Sequence, residues 1–370
     1  MTNPGTDFRP DWVSSPGETI LDLIEERDWN QAELAQRLGF STKHLNQLIK
    51  GKAALTEDAA LRLERVLGST ANFWLNREAK YREHRARLQA RERYQTWVGW
   101  LDLLPLPELK KAGVIPNERI TARNKPALVE TLLEFFSIAS PDEWQTHYGA
   151  MQESFRRTRE TQSDNGAIAS WLRLGEIAAE RLESSKFDKT RFIKALSEIR
   201  QLTALPPEIF EPELRRLCFE AGITFVMVPA IPRAHVSGVA RWLNNHRPLI
   251  QLSLYGKTND KFWFTFFHEA AHLLLHSKQK KTIYLDDPNN HSQDTLEERE
   301  ANQWAGDFLI PPQYNAAFTI LRSRDEVLQF AKQLNIHPGI VVGRLQHDQL
   351  IAPSWMNDLK TSFRFSDSEA

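Results

Sequence analysis

Residues 267–276 read FHEAAHLLLH, and residues 298–312 read EREANQWAGDFLIPP. The first stretch continues an apolar run that begins at Phe262. On a helix, residues four apart stand one above the other, so the imidazoles of His268 and His272 can reach one Zn2+ at about 2.0–2.1 Å. Glu269 follows the first histidine, where its carboxylate reaches a water on the metal rather than the metal itself. The metal lowers that water's pKa toward about 7 and polarises the scissile carbonyl. Glu269 takes the proton as general base and passes it to the leaving amine. Two histidines and a glutamate inside an apolar helix are costly unless something satisfies them. The alternative is a hydrogen-bonded polar pair in a core.

A catalytic zinc takes three protein ligands and keeps one position open. A third histidine six residues after His272 would mark a metzincin, but position 278 is Lys278. His276 is one turn further along, on roughly the right face but too far up the helix, and reads as a supporting group. The better source is the predicted helix 296–310, with Glu297, Glu298 and Glu300 near its start. Its apolar stripe runs Ala301, Ala305, Phe308, Leu309, and Glu298 lies on that face. Glu300 lines up with Gln303 and Asp307 on a polar face, and Glu297 with Ala301 and Trp304. Glu298 is therefore the preferred third ligand, with Glu297 and Glu300 as alternatives. Asn302, one turn beyond Glu298, could hydrogen-bond a ligand histidine and fix its tautomer, or be a surface amide.

The two motifs in this order resemble the ImmA/IrrE family of zinc metallopeptidases, which shows HExxH, then ExxAN, then an apolar run ending in Pro. Read onto this chain, Glu298 begins ExxAN, Asn302 ends it and Pro311 closes the run. Trp304 stands where the family more usually has Phe. The resemblance covers roughly 210–320. It implies a gluzincin-like fold, with a small twisted sheet beside the active-site helix and the glutamate helix packed behind, and one Zn2+ per chain. Strand 238–243 is the expected sheet edge, where an extended peptide substrate would add as a further strand; an interior strand is the alternative. Tyr284, His291 and Arg241 are candidate transition-state donors, or solvated loop groups.

A second pattern lies near the N-terminus. Helices are predicted over 31–38 and 42–49, with Gly39 making the turn, Ser41 as N-cap and Ala35 letting the helices cross closely. Leu45, Leu48 and Ile49 anchor the second helix. Its other face carries Thr42, Lys43, Asn46, Gln47 and Lys50, groups that bond base edges or phosphates in a major groove. Gln31 heads the preceding helix, where it can meet a backbone phosphate. A small bundle used for protein contacts is the alternative. Roughly residues 15–80, with GK after the second helix and ANFWLN near the end, resemble an XRE-type helix-turn-helix of the HigA/VapI antitoxin subgroup. That resemblance implies a homodimer on a palindromic site in double-stranded DNA. The stretch 80–93 holds six Lys/Arg and reads as a basic helical extension, touching phosphate or simply solvated.

The whole chain frames these motifs. Its 370 residues suggest two or three domains at roughly 100–200 residues each. Lys+Arg is 47 against Asp+Glu 48, a balance that argues against a histone-like protein but not against a local basic patch. The one cysteine, Cys218, excludes a Cys-rich zinc site and an internal disulfide. The N-terminal MTNPGTDFRPDW has neither a basic region nor an apolar core, so no signal peptide is expected, and the first twelve residues read as a disordered lead. The apolar stretches at 223–231 and 262–275 are too short or too polar to span a bilayer. A cytoplasmic protein without membrane contact is expected.

The expected fold is multidomain and mainly α, with a C-terminal α+β part. The segments are 13–94 (helix-turn-helix with extension), 95–208 (helical middle region), 209–320 (zincin domain) and 321–370 (helical segment and frayed tail). Middle helices are predicted at 125–136, 166–181, 189–203 and 212–221, with an exposed loop over 161–165. Strands are predicted at 223–228, 238–243 and 248–254, the last two as a hairpin. Two functions compete. One is a DNA-binding transcriptional regulator whose zinc endopeptidase cuts a repressor, a toxin–antitoxin partner or its own chain. The other is a HigA-like antitoxin or repressor whose zincin domain only senses or docks.

Overall fold

The computed structural model describes residues 14–156, 164–276, 284–286 and 295–365. The expected lead at 1–12, His291, residues 161–163 of the expected loop and the last five tail residues lie outside them. The chain forms two compact units, Met1–Trp97 and Val98–Ala370.

The first unit consists of α1 (Pro16–Glu25), α2 (Gln31–Leu38), α3 (Thr42–Ile49), α4 (Glu57–Leu67) and α5 (Ala71–Thr96). Ser15, Asn30, Ser41, Thr56 and Thr70 precede them, and each side-chain oxygen accepts the amide three residues on. Each such cap contributes about 1 kcal/mol by satisfying an amide the helix leaves open. Gly39 ends α2 at φ 68°, a left-handed position that glycine takes without strain. Ile20, Leu34, Ala35, Leu38, Leu45, Leu48, Leu63 and Trp74 share one core. At Gly17 the first helix meets the end of α3 so closely that a Cβ would lie 1.9 Å from the Ile49 carbonyl oxygen.

The second unit opens with a 3-10 turn (Val98–Leu103) and α6 (Leu106–Lys111), then α7 (Lys125–Phe136), α8 (Pro141–Arg156), α9 (Asn165–Glu180), α10 (Lys189–Leu202) and α11 (Pro207–Glu220). Asp164 caps α9, so only the front of the expected 161–165 loop precedes a helix. Helix α11 starts five residues before the expected Pro212. Pro206 is its N-cap and Pro207 takes the first position, where a missing N–H costs nothing. Pro212 sits inside the helix instead.

Strands β1 (Thr224–Met227), β2 (Gly238–Asn244), β3 (Arg247–Leu252) and β4 (Tyr284–Asp286) form a sheet in the order β1-β3-β2-β4. The β2–β3 hairpin is antiparallel and β1 runs parallel to β3. The expectation of β2 as an edge does not hold over its first half. Strand β4 pairs with Gly238, Val239 and Ala240, so this part of β2 is interior.

Alternation assigns the two faces of the sheet. Phe225, Ala240, Ile250 and Leu252 pack with Trp263, Phe266 and Phe267 of α12 (Asn259–Leu275). Val226, Val239 and Leu249 pack with Trp171 and Leu172 of α9. Helix α13 (Leu296–Leu309) lies against α12. It is followed by α14 (Asn315–Phe318), α15 (Arg324–Leu334) and α16 (Pro338–His347). Phe192, Leu196 and Ile199 of α10, and Val327, Phe330, Ile340, Val341 and Leu345 near the C-terminus, share the buried core of α12. The expected frayed tail is anchored where it is described: Ser362 bridges Thr258, and Phe363 packs on Phe210 and Phe262. No described helix is long and apolar enough to cross a membrane.

Candidate metal centre and nucleic-acid interface

Helix α12 carries a nearly continuous buried surface, from Phe262 and Trp263 to Leu273 and Leu274, because the sheet covers one side and α13 and α16 cover others. His268, Glu269 and His272 are buried within it. Glu298 approaches from the first turn of α13, where Thr295 Oγ1 accepts the Glu298 amide at 3.2 Å.

The three side chains converge. His268 Nε2 and His272 Nε2 are 3.0 Å apart, and the Glu298 oxygens lie 3.2 Å from the first and 3.4 Å from the second. Donors held at 2.0–2.1 Å around a tetrahedral cation stand roughly 3.3 Å from one another, so this donor set fits zinc. Among the described residues, His268, His272 and Glu298 are the cluster of metal-binding type. Burial pushes the His272 imidazole down to about 4, which leaves it neutral near pH 7 with a lone pair to give. Burial alone would raise the Glu298 carboxyl, but hydrogen bonds with His268 and His272 outweigh it and hold the group below the ordinary carboxylate range.

Glu269 is fully buried beside the cluster. A Cβ at Gly238 of β2 would lie 2.9 Å from Glu269 Oε1 and 2.6 Å from Thr265 Cγ2, so the glycine lets the strand's bare backbone approach the carboxylate.

Other sequence candidates fall elsewhere. His276 faces Glu300 at 3.8 Å, and both lie outside the cluster, as does Glu297. Asn302 is exposed one turn beyond Glu298, and no hydrogen bond among the described residues joins it to either histidine. Arg241, expected as a candidate transition-state donor, lies away from the cluster. It points to the α9 face of the sheet, with Nη1 donating to Glu176 at 2.7 Å and Nη2 to the Leu172 carbonyl at 2.7 Å. Alternation along β2 separates it from Gly238, a pattern the sequence already carried. Only the backbone of Tyr284 is described.

In the first unit, Leu45, Leu48 and Ile49 turn α3 into the core. Thr42, Lys43, Gln47 and Lys50 are exposed on the other side, with Asn46 half-buried beside them and Gln31 half-buried at the start of α2. Helix α5 grips the segment after α3. Glu78 accepts the Leu55 amide at 3.2 Å, and Arg85 donates to the Gly51 carbonyl at 3.1 Å. Arg82 and Arg87 pair with Glu78 and Glu83. Half of the basic residues in 80–93 are therefore engaged within the unit.

Residues 227–346 match the family model for the IrrE N-terminal-like domain of the M78 peptidases, and residues 20–74 match that for helix-turn-helix. Over 61 residues the chain is 34% identical to the uncharacterized HTH-type transcriptional regulator YddM of Escherichia coli (strain K12), covering 16% of this chain and 65% of that protein. Over 67 residues it is 34% identical to the uncharacterized HTH-type transcriptional regulator YbaQ of the same strain, covering 18% and 59%. The chain thus spans less than two thirds of the length of these curated relatives. It carries an XRE-type helix-turn-helix in its N-terminal unit and an IrrE/ImmA-like peptidase domain in its C-terminal unit.

Proposed function

We propose that this protein is a cytoplasmic, DNA-binding transcriptional regulator that carries a zinc-dependent endopeptidase. The observation that carries this reading is the convergence of His268, His272 and Glu298 with the Glu269 carboxylate beside them. The three converging groups would hold one zinc ion. Zinc bound there supplies Lewis acidity, bringing the pKa of water toward about 7 and polarising a peptide carbonyl. Glu269 accepts a proton from the attacking water and delivers it to the departing amine nitrogen, so one peptide bond breaks as water adds across it. Asn302 is a candidate support for a ligand histidine.

The exposed face of α3 (Thr42, Lys43, Asn46, Gln47, Lys50), with Gln31, would read a major groove. A homodimer would place two such helices on a palindromic operator. The substrate is a protein: a repressor, a toxin–antitoxin partner or the chain itself.

The deciding test is Glu269→Gln, which keeps the shape and removes the base. Zinc-loaded wild type should cleave a repressor or toxin encoded beside this gene. The variant should lose that cleavage by at least about 100-fold while keeping zinc and operator binding. Equal cleavage by the variant would remove Glu269 from the mechanism. Wild type that holds zinc and operator but cuts none of these proteins would favour a sensing or docking role for the zincin domain.

A further inference from the structure

The active-site helix is held at both ends by residues outside the matched span 227–346. Thr258 is the N-cap of α12 but makes no side-chain cap bond. The C-terminal segment does that work instead. The Asn259 amide donates to the Thr361 carbonyl at 2.9 Å, the Thr361 amide to Asn259 Oδ1 at 3.1 Å, and the Phe363 amide to the Lys257 carbonyl at 2.7 Å. Asn259 Nδ2 lies 2.6 Å from His337 Nδ1. Asp260, buried in the first turn, pairs with Lys360 Nζ at 2.7 Å, and that ammonium also donates to Gln346 Oε1 at 2.7 Å. A Cβ at Gly343 would lie 2.5 Å from Asp260 Oδ2, so α16 also leaves space for this carboxylate. At the other end, Lys189 Nζ of α10 donates to the Leu274 carbonyl at 2.9 Å. The signs match the helix dipole, with an anion in the first turn and a cation on the last.

We propose that residues 360–363 and Lys189 are positioning residues of the metal centre, a two-ended clamp that fixes where α12 holds His268 and His272 against Glu298. The link to metal rests on the zinc reading above; the clamp itself does not. Asp260 precedes His268 by a little over two turns and Leu274 follows His272 within one, and a metal site tolerates little displacement of its ligands. Groups hydrogen-bonded directly to metal ligands typically change metal affinity by about 10- to 100-fold, and a clamp one step further back is expected at the lower end of that range.

The test uses the full chain in two states. In metal-free protein, Lys360→Met should raise hydrogen exchange at the amides of residues 259–263 about tenfold, and Lys360→Arg should restore it. Exchange in α2 and α7 should stay as in wild type. In chelator competition, Lys189→Met with Lys360→Met should weaken zinc binding about tenfold, with Lys189→Arg and Lys360→Arg close to wild type. Exchange at 259–263 unchanged in Lys360→Met overturns the clamp. So does a rise spread over the whole second unit, because Lys360 then serves only general stability. Faster local exchange with unchanged zinc affinity overturns its role at the metal. Wild type that binds no zinc defeats the metal reading and the positioning role together, while the exchange experiment still decides whether the clamp exists.

Discussion

Helices α3 and α12 each carry polar groups beside an apolar face, but they do so under opposite constraints. Helix α3 has eight residues, and its limits are set by its neighbours: Gly39 makes the turn and Ser41 caps the first amides. Its polar groups face water, so nothing must be found to pair them. Helix α12 has seventeen residues and buries Asn259, Asp260, His268, Glu269 and His272. Each of these polar groups needs a partner inside the protein. Two of these partners come from the far end of the chain: Thr361, 102 residues from Asn259, and Lys360, which pairs with Asp260. A helix whose polar groups face water is specified locally. A buried chemical site is specified by the whole unit.

Removing Glu298 should expose that contrast most sharply. Glu298→Ala leaves two imidazoles 3.0 Å apart with one donor gone. Zinc retention, followed by native mass spectrometry, should fall from one ion per chain to essentially none. Operator binding should not change, because Glu298 lies in the other compact unit. A variant that still holds one zinc would show that the metal lies elsewhere.

Gly17→Val makes the reverse cut. Its Cβ would meet the Ile49 backbone at 1.9 Å, and backbone cannot swing aside as a side chain can. A cost of about 3 kcal/mol is expected, at the upper end of overpacking effects. Calorimetry should show the helix-turn-helix melting earlier, operator affinity falling with it, and the second unit melting as before. A single transition that shifts as a whole would mean the two units unfold together.

Acid should act on the second unit through the buried histidine. His272 is held at about 4 against an ordinary 6.5, because burial disfavours its charged form. Between those values the unfolded chain binds a proton that the folded chain does not. Stability from neutral His272 is therefore full above pH 6.5 and drains away as pH falls toward 4. Glu298 works in the same direction: its carboxyl is held below the ordinary range, so its contribution is lost on further acidification. Metal-free protein should lose melting temperature through this window, and His272→Gln should flatten the fall. An equally steep loss in that variant would place the acid sensitivity in other groups.

The same contrast explains what could be read from sequence. The bounds of α2 and α3 follow from caps and glycine, and Glu298 follows from the stripe of Ala301 and Ala305. Each signal lies within a few residues of what it decides. The interior position of β2 depends on β4, some forty residues later, so a strand alone gives no sign of it. Residues 360–363 carry no periodicity, and their meaning comes from Asn259 and Asp260. The expected start of the 212–221 helix falls at a proline, which suits a first helical position, but Pro206 and Pro207 already supply the start five residues earlier.

The smallest expected effects lie on the surface of α3, and they separate two kinds of contact. Lys43 and Gln47 are both exposed, so replacing either leaves the core of Leu45, Leu48 and Ile49 intact. A lysine that meets phosphate contributes equally on every sequence. Lys43→Ala should weaken binding uniformly and lower the slope of log affinity against log salt by about 1. A glutamine that meets a base edge contributes only on the right base. Gln47→Ala should cost about 1–3 kcal/mol on the operator, relax preference at one position and leave the salt slope unchanged. Titrations at two salt concentrations against operator and scrambled DNA distinguish these outcomes. If both variants bind as wild type does, this face of α3 is not the reading surface, and the helix-turn-helix serves protein contacts instead.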